Sequence, residues 1–268
     1  MEENKHKEAQ ASFSKLLTIM DELREKCPWD KKQTFDSLRA NTIEETYELC
    51  DAIMKKDTKE IKKELGDVLL HIVFYSKIAS ETNDFDIADV CNSLCDKLIF
   101  RHPHVFGEGN AKSAGEVEQS WEQIKQKEKD GNKSVLAGVP DALPALIKCY
   151  RIQDKARNVG FDWKEKEDIW HKVEEELNEF KDEVHAMNQE KMEEEFGDLL
   201  FSMINAARLY KINPENALER CNRKFIRRFN HIEKRTKEEN KELSQLSLEE
   251  MDAYWDEAKR IERENIQS

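Results

Sequence analysis

Two acidic segments of the chain repeat one another at a constant distance, and this repetition constrains the fold more than any other feature. Their apolar residues correspond as well, because I-K-K-E-L-G-D-V-L-L at 61–70 matches M-E-E-E-F-G-D-L-L-F at 192–201. A shift shared by five acidic positions indicates a duplicated unit, so we predict two copies in tandem. The acidic pairs, each 131 residues apart, are Glu44 and Glu175, Glu45 and Glu176, Glu48 and Glu179, Glu64 and Glu195, and Asp67 and Asp198.

The spacing of the apolar residues predicts that both copies are helical. Apolar residues recur at intervals of three and four, and the period-2 alternation of half-buried strands is absent. The 8 glycines and 5 prolines in 268 residues are too few for the turns of an all-β sandwich or barrel. We therefore predict an all-α fold, a tandem repeat of two four-helix units. The predicted helices span about 9–25, 36–55, 58–81, 87–102, 116–130, 145–158, 166–187, 189–211, 214–240 and 248–265.

The predicted boundary between the copies is the stretch 131–144, G-N-K-S-V-L-A-G-V-P-D-A-L-P, which is rich in turn residues. We take 1–130 as the N-terminal unit and 145–268 as the C-terminal unit. Lys97 and Arg101 match Lys224 and Arg228 at a distance of 127 instead of 131 residues. One connection should therefore be slightly shorter in the second copy.

The spacing of the acids predicts a metal site in each copy. Residues three or four apart share one helix face, so Glu45 lies beside Glu48 and Glu64 beside Asp67. Such carboxylates repel one another unless a cation lies between them, and a set of oxygen ligands alone suits Mg²⁺ or Mn²⁺. Because Mg²⁺ commonly binds together with substrate phosphates, the substrate should be a phosphate ester or anhydride. The alternative is an ordinary acidic surface, against which the repetition argues.

Charge and hydropathy exclude two classes of partner. With a formal charge of −13, the chain lacks the excess of Lys and Arg that binding to a nucleic acid requires. No segment approaches the length of a membrane span, and the N-terminal residues contain no apolar signal core. We therefore expect a cytoplasmic protein that binds neither nucleic acid nor membrane.

The pattern E-E-x-x-E followed by E-x-x-D on the next helix resembles the MazG nucleotide pyrophosphohydrolases, relatives of the all-α dimeric dUTPases. The likeness covers nearly the whole chain in the two-domain MazG arrangement. It includes C-P-W-D-K-K-Q-T-F at 27–35, R-H-P-H-V-F at 101–106, G-F-D-W at 160–163 and N-R-K-F-I-R-R-F at 222–229. The resemblance implies a homodimer that hydrolyses nucleoside or deoxynucleoside triphosphates, with Mg²⁺, to the monophosphate and pyrophosphate.

The two copies differ in basic residues, and this difference indicates which of them is catalytic. Cleaving a triphosphate requires cations for the phosphates as well as acids for the metal. The second copy has Lys172, Lys191, Lys224, Arg227 and Arg228 where the first has Asn41, Glu60, Lys97, Phe100 and Arg101. We predict catalysis in the second copy, whereas the first copy's acids, Glu45, Glu48, Glu64 and Asp67, form a metal site that binds triphosphate weakly.

The acids and the resemblance assign roles within the second copy. The predicted metal ligands are Glu176, Glu179, Glu195 and Asp198. Glu175 completes the catalytic set, either by orienting these ligands or as the base that takes a proton from water. The predicted nucleotide-binding residues are Lys172, Lys191, Asn222, Lys224, Arg227, Arg228 and Trp255. In the family that the chain resembles, the Lys-Phe-x-Arg-Arg helix contacts the phosphates.

The expected role of Trp255 is to stack on the base of the nucleotide. Stacking on an aromatic ring accepts any base, which fits broad specificity. The alternatives are that Trp255 packs in the core and that Arg227 and Arg228 are only solvated. Two other functions also remain open at this stage: a nucleotide sensor without catalysis, and a helical scaffold for protein partners. Pyrophosphate release separates the enzyme from the sensor, and a Mg²⁺-dependent thermal shift argues against the scaffold.

Overall fold

The computed structural model of the chain describes residues 2–107, 124 and 134–267. Within these residues the regular structure is helical and contains no strand, which confirms the all-α prediction. The chain divides into two compact units, Met1–Lys112 and Ser113–Ser268. Residues 134–144 of the predicted linker form bends and turns. The rest of that linker lies outside the described residues, as does the helix predicted at 116–130 apart from residue 124.

The first unit is built around a pair of antiparallel helices, α2 and α3, against which the N-terminal helix packs. Thr34, Asp57 and Asp86 cap three of its helices by accepting backbone hydrogen bonds at their first turns. The buried core consists of Met20, Leu38, Val73 and Phe74. The helices are α1 (Glu2–Lys26), α2 (Phe35–Lys55), α3 (Thr58–Glu81), α4 (Ile87–Arg101) and the one-turn α5 (Pro103–Phe106), with a 3₁₀ turn at Asp30–Lys32.

The second unit contains a similar pair of helices, α7 and α8, with α6 packed against α8 and with α9 and α10 packed together. A core of Ile232, Leu246 and Tyr254 joins α9 to α10. The helices are α6 (Ala145–Arg157), α7 (Ile169–Ala186), α8 (Gln189–Leu209), α9 (Pro214–Glu238) and α10 (Leu248–Gln267), with 3₁₀ turns at Lys166–Asp168 and Leu243–Gln245.

The turn between the paired helices is the same in both units. Lys56 and Met187, which are 131 residues apart, both adopt the left-handed conformation with φ of 57°. The next residues, Asp57 and Asn188, cap α3 and α8. The duplicated sequence thus folds into a duplicated hairpin of helices.

A difference in the length of the second paired helix and its connection explains why the distance between matching residues falls from 131 to 127 positions. The helix α3 has 24 residues, whereas α8 has 21. After these helices, the caps Asp86 and Asn213 stand 127 residues apart. The connection that is shorter in the second copy therefore includes the end of α8.

The largest error in the predicted boundaries is at the N-terminus, where α1 begins at Glu2 instead of near residue 9. The segment E-E-N-K-H-K-E-A lacks apolar periodicity, but Glu, Lys and Ala favour helix without any buried face. Among the described residues, no helix is both long and apolar enough to cross a membrane.

Candidate active site

Each unit places three glutamates from its paired helices around one point. Carboxylate oxygens of Glu45, Glu48 and Glu64 lie within 4.8 Å of one another, as do those of Glu176, Glu179 and Glu195. The fourth predicted ligands, Asp67 and Asp198, are not members of these two groups. All donors are carboxylate oxygens, so the residues present fit a hard divalent cation such as Mg²⁺ or Mn²⁺.

The electrostatics of both clusters favour a bound cation. Burial, together with the charges of Asp67, Glu48 and Glu64, raises the pKa of Glu45. Loss of hydration raises the pKa of Glu179, and the neighbouring glutamates add to the shift. Glu64 is 3 % exposed, and its Oε2 has no hydrogen-bond partner among the described residues. A carboxylate oxygen buried in this way is costly unless a hydrogen bond or a cation compensates for its lost hydration.

In each cluster a lysine forms an ion pair with one glutamate. The two lysines are not equivalent in the repeat, because Lys172 lies on the first helix of its pair and Lys63 on the second. Lys172 Nζ on α7 lies 2.7 Å from Glu176 Oε1 and 3.0 Å from Glu175 Oε1. Lys63 Nζ on α3 lies 2.7 Å from Glu64 Oε1. Hydrogen bonds to Glu176 and Glu175 raise the pKa of Lys172. Lys63 was not predicted as a site residue, because the aligned position in the second copy is Glu194.

The second carboxylate cluster borders a large cavity. Its volume is about 740 Å³, and Glu176, Asp198 and Lys172 are among the residues that line it. Asp198 therefore faces the same space as the carboxylate cluster, although it does not belong to the three converging glutamates. Other walls are largely apolar, and they include Ile152, Ala156, Phe161, Trp163, Ile169 and Phe201.

Residues of the first unit that align with part of this cavity wall have much larger side chains. Ser202 and Asn205 line the cavity, and Ala206 follows them on α8. The aligned residues on α3 are the much larger His71, Phe74 and Tyr75. The carboxylate clusters are thus duplicated, but the cavity-lining residues differ greatly in size.

The large residues of the first unit are held by a polar network. Thr42 Oγ1 lies 2.8 Å from His71 Nδ1 and 2.6 Å from the Tyr75 hydroxyl. Phe35 stacks on Tyr75 with ring centroids 5.5 Å apart. Burial lowers the pKa of His71, although the charge of Asp67 acts in the opposite direction. Burial of His71 therefore favours the neutral form of its imidazole.

A tight turn after α6 carries two aromatic side chains to the cavity. Gly160 has φ of +89°, and the Phe161 backbone N–H donates to the Ala156 carbonyl across 3.1 Å, closing the end of α6. Phe161 is 82 % exposed at the cavity wall. The motif G-F-D-W at 160–163 is part of the family resemblance, but the sequence does not predict its position beside the carboxylates.

The predicted phosphate-binding residues of α9 line a different space from the acids. Lys224, Arg227 and Arg228 border a second cavity of about 760 Å³ together with Lys259, Glu262 and Arg263. Arg228 donates to Glu262 Oε2 through Nε at 3.0 Å and Nη2 at 2.8 Å. Arg227 Nη2 lies 3.4 Å from Glu262 Oε1. In the described chain, these cations do not line the cavity beside the carboxylates.

The other predicted nucleotide-binding residues have varied surroundings. Trp255 packs against Phe225 at 5.2 Å and under the guanidinium of Arg228 at 5.4 Å, next to the α9–α10 core. Lys191 pairs with Glu194 at 2.6 Å. Asn222 is exposed on α9. Trp255 thus has a packing role, and its base-stacking role stays a prediction.

Comparison with known proteins finds one family along both units. A family model described as the MazG nucleotide pyrophosphohydrolase domain matches residues 33–106 and 164–233. Both matched segments contain one complete carboxylate cluster. Each matched segment includes one copy of the helical hairpin.

Similar proteins extend the match to almost the full chain. The nucleoside triphosphate pyrophosphohydrolase/pyrophosphatase MazG of Thermotoga maritima is 46% identical over 94% of this chain and 98% of its own length. The nucleoside triphosphate pyrophosphohydrolase of Escherichia coli is 43% identical over 93% of this chain and 98% of its own length. The uncharacterized protein YabN of Bacillus subtilis is 47% identical over 94% of this chain, which spans 52% of YabN.

Proposed function

The chain belongs to the MazG family of nucleotide pyrophosphohydrolases, and we propose that it hydrolyses nucleoside triphosphates at the carboxylate cluster of its second unit. The products are the nucleoside monophosphate and pyrophosphate, and the proposed metal is Mg²⁺, with Mn²⁺ as a substitute. One observation carries the choice of unit: Glu176 belongs both to the cluster and to the wall of a large cavity. In the first unit, the larger His71 and Phe74 stand at the positions of Ser202 and Asn205, which line this space.

The residues that would hold the metal are Glu176, Glu179 and Glu195, with Asp198 facing the same cavity. A divalent cation bound there supplies positive charge to phosphate oxygens and makes water a stronger nucleophile. Lys172 bridges Glu175 and Glu176, and therefore keeps both carboxylates at this side of α7. Glu175 is exposed and adjacent to a ligand in sequence, so we propose it as the residue that accepts the proton of the attacking water.

The proposed place of attack is the α-phosphorus. The water oxygen bonds to this phosphorus while the bond to the bridging α–β oxygen breaks, and pyrophosphate leaves with the electron pair. Lys224, Arg227 and Arg228 form a cationic surface suited to the charge that gathers on the leaving group. These cations line a separate space in the single chain, so the proposal requires that they approach the acids when the triphosphate is bound.

We further propose a homodimer. The apolar stripe of α3 recurs on α8, and both stripes are substantially exposed in the chain: Leu65 and Phe196 by 53 % and 47 %, and Leu69 and Leu200 by 37 % and 46 %. Contiguous apolar surface of this kind is typical of subunit interfaces. The exposed stripes therefore support a partner subunit.

Hydrolysis in ¹⁸O-labelled water tests the proposed reaction. Attack at the α-phosphorus places one ¹⁸O atom in the monophosphate and leaves the pyrophosphate unlabelled, which mass spectrometry distinguishes. Diphosphate with orthophosphate, or label in the pyrophosphate, would contradict the proposal. A panel of ribo- and deoxyribonucleoside triphosphates under the same conditions measures the proposed breadth of base specificity.

A further inference from the structure

We propose that the carboxylate cluster of the first unit, Glu45, Glu48 and Glu64, binds one divalent cation in the absence of nucleotide, and that this ion stabilises the pairing of α2 with α3. The inference goes beyond the proposed function, which assigns a metal to the second unit for catalysis. It also differs from the weak triphosphate site that the sequence predicts, since the ion needs no phosphate ligand. The ligand is a hard cation, Mg²⁺ or Mn²⁺, because all three donors are carboxylates.

Glu64 contains a buried oxygen that has no partner in the described chain. The residue is 3 % exposed. Lys63 Nζ lies 2.7 Å from Oε1, whereas Oε2 has no hydrogen-bond partner among the described residues. Glu176, the buried acid of the second cluster, has no such oxygen within the same described residues. Because an uncompensated buried carboxylate oxygen is costly, Oε2 of Glu64 is the atom at which a cation gains most.

The charges of the first cluster match a divalent ion. Its three carboxylates and the Lys63 ammonium leave two uncompensated negative charges, which is the charge that one divalent cation neutralises. Burial raises the pKa of Glu45, and the charges of Asp67, Glu48 and Glu64 raise it further. The carboxylates therefore repel one another in the chain alone, and a cation between them removes this repulsion.

An ion at this place would join two helices. Glu45 and Glu48 lie on α2 and Glu64 lies on α3, and the oxygens of all three are within 4.8 Å of one another. The three oxygens converge only when the two helices are paired. Binding of the ion therefore favours the folded state, because a ligand of the folded state alone stabilises it.

The surroundings of the first cluster do not suit a phosphate as a further ligand. Asn41 and Glu60 stand where the second unit has Lys172 and Lys191, so two cations that could bind phosphate oxygens are replaced. The first unit also has the larger His71 at a position that lines the cavity in the second unit. These differences favour an ion held by the protein alone.

Electron paramagnetic resonance of free Mn²⁺ counts the ions that the full chain binds without nucleotide. Glu179→Gln combined with Glu195→Gln disrupts the second cluster and isolates the first. We expect this background to retain one Mn²⁺ per chain. Adding Glu48→Gln should raise the Kd of that ion at least about tenfold, because one of three carboxylate ligands is lost. Glu44→Gln is the matched control, since Glu44 is exposed, adjacent to Glu45 and outside the converging group.

Thermal unfolding of the same variants provides a second measurement. Mn²⁺ should raise the unfolding temperature of the isolating background and of its Glu44→Gln derivative, but not of its Glu48→Gln or Glu64→Gln derivative. Glu48 is exposed, so its replacement tests the site even if the buried Glu64 cannot be replaced without loss of folding. In the otherwise unmodified chain, Glu48→Gln should lower the number of bound Mn²⁺ ions by one.

Absence of bound Mn²⁺ from the folded isolating background would overturn the inference. Equal Mn²⁺ binding and equal thermal shifts in the Glu44→Gln and Glu48→Gln derivatives would also overturn it. Pyrophosphate release by the unmodified protein is measured separately. Its absence would contradict the proposed function without affecting the count of ions at the first cluster.

Discussion

Arg208 on α8 holds Asp162 in the loop after α6 through a bidentate ion pair. Arg208 Nη1 donates to Asp162 Oδ2 across 3.1 Å, Nη2 donates to Oδ1, and Nη2 also donates to Asn205 Oδ1 at 2.8 Å. The Arg208 side chain is only 6 % exposed. Because Phe161 and Trp163 flank Asp162, this pair fixes the loop that forms part of the cavity wall.

Removing this ion pair should destabilise the second unit. Arg208→Met leaves the partly buried carboxylate of Asp162 without its main partner, which should lower the free energy of unfolding by about 2–3 kcal/mol. Chemical denaturation measures the change. Lys234→Met is the control, since Lys234 lies 3.8 Å from Glu238 in an exposed pair whose loss should cost under about 0.5 kcal/mol. Equal losses in the two variants would contradict the role of Arg208.

Asp162 should also make stability depend on pH in acid. Burial by itself would raise its pKa, but hydrogen bonds from Arg208 and from the Trp163 N–H, with the charge of Arg208, lower the pKa below its usual value. A carboxylate with a lowered folded-state pKa stabilises the fold above the unfolded pKa of about 3.9. This contribution is lost as pH falls through the lowered value.

Denaturation of the wild type and of Asp162→Asn at several pH values tests this dependence. The wild type should be the more stable protein at pH 6. The difference should shrink below about pH 4, because there the unfolded chain protonates Asp162 while the folded protein, with its lowered pKa, still keeps the carboxylate charged. A difference that stays constant between pH 6 and pH 3 would contradict the assignment.

The two carboxylate clusters should differ in their importance for catalysis. Glu179→Gln removes a proposed metal ligand beside the cavity, and we expect a loss on the order of 3 kcal/mol in barrier stabilisation, roughly a hundredfold in rate. Glu48→Gln is the matched change at the aligned position and should leave most of the activity. Pyrophosphate release at saturating triphosphate measures both, and equal losses would contradict catalysis in the second unit.

Lys172 should compete with the metal for Glu176. In Lys172→Met the buried Glu176 loses its ion pair at 2.7 Å, so the metal-free protein should unfold at a lower temperature than the wild type. Mg²⁺ should then raise the unfolding temperature of this variant more than that of the wild type, because binding to the folded state stabilises it.

Differential scanning fluorimetry across a Mg²⁺ series provides the measurement. Lys191→Met is the control, because Lys191 pairs with Glu194, which is not one of the three converging glutamates. A Mg²⁺ shift that is the same in both variants and in the wild type would show that Lys172 does not compete with the metal.

The proposed dimer predicts a particle of twice the chain mass of 31.6 kDa in light scattering. Leu69→Glu combined with Leu200→Glu places charges on both exposed apolar stripes and should shift the protein toward monomer. A monodisperse monomer of the unmodified chain at micromolar concentration would contradict the proposed dimer.

The sequence by itself determined the helical class, the duplication and the pairing of the acids. Apolar spacing reports which face of a helix is buried, and carboxylates three residues apart necessarily share a face. The common repeat distance therefore predicted that Glu45 and Glu176 have equivalent positions, and both belong to the converging groups. Family membership followed from the same residues, since the family model matches both copies of the hairpin.

Only the tertiary structure decided where a cavity lies beside the carboxylates and which polar groups form contacts between helices. Helical periodicity gives the direction of a side chain, but not the volume left between packed elements. That volume depends on whether His71 or Ser202 occupies the same position. The Arg208–Asp162 pair and the hydrogen bond from Gln153 Nε2 to the Phe201 carbonyl depend likewise on the packing of α6 and its loop against α8. The two residues of each contact are separated by 46 or 48 positions in the chain, so no local sequence pattern predicts these contacts.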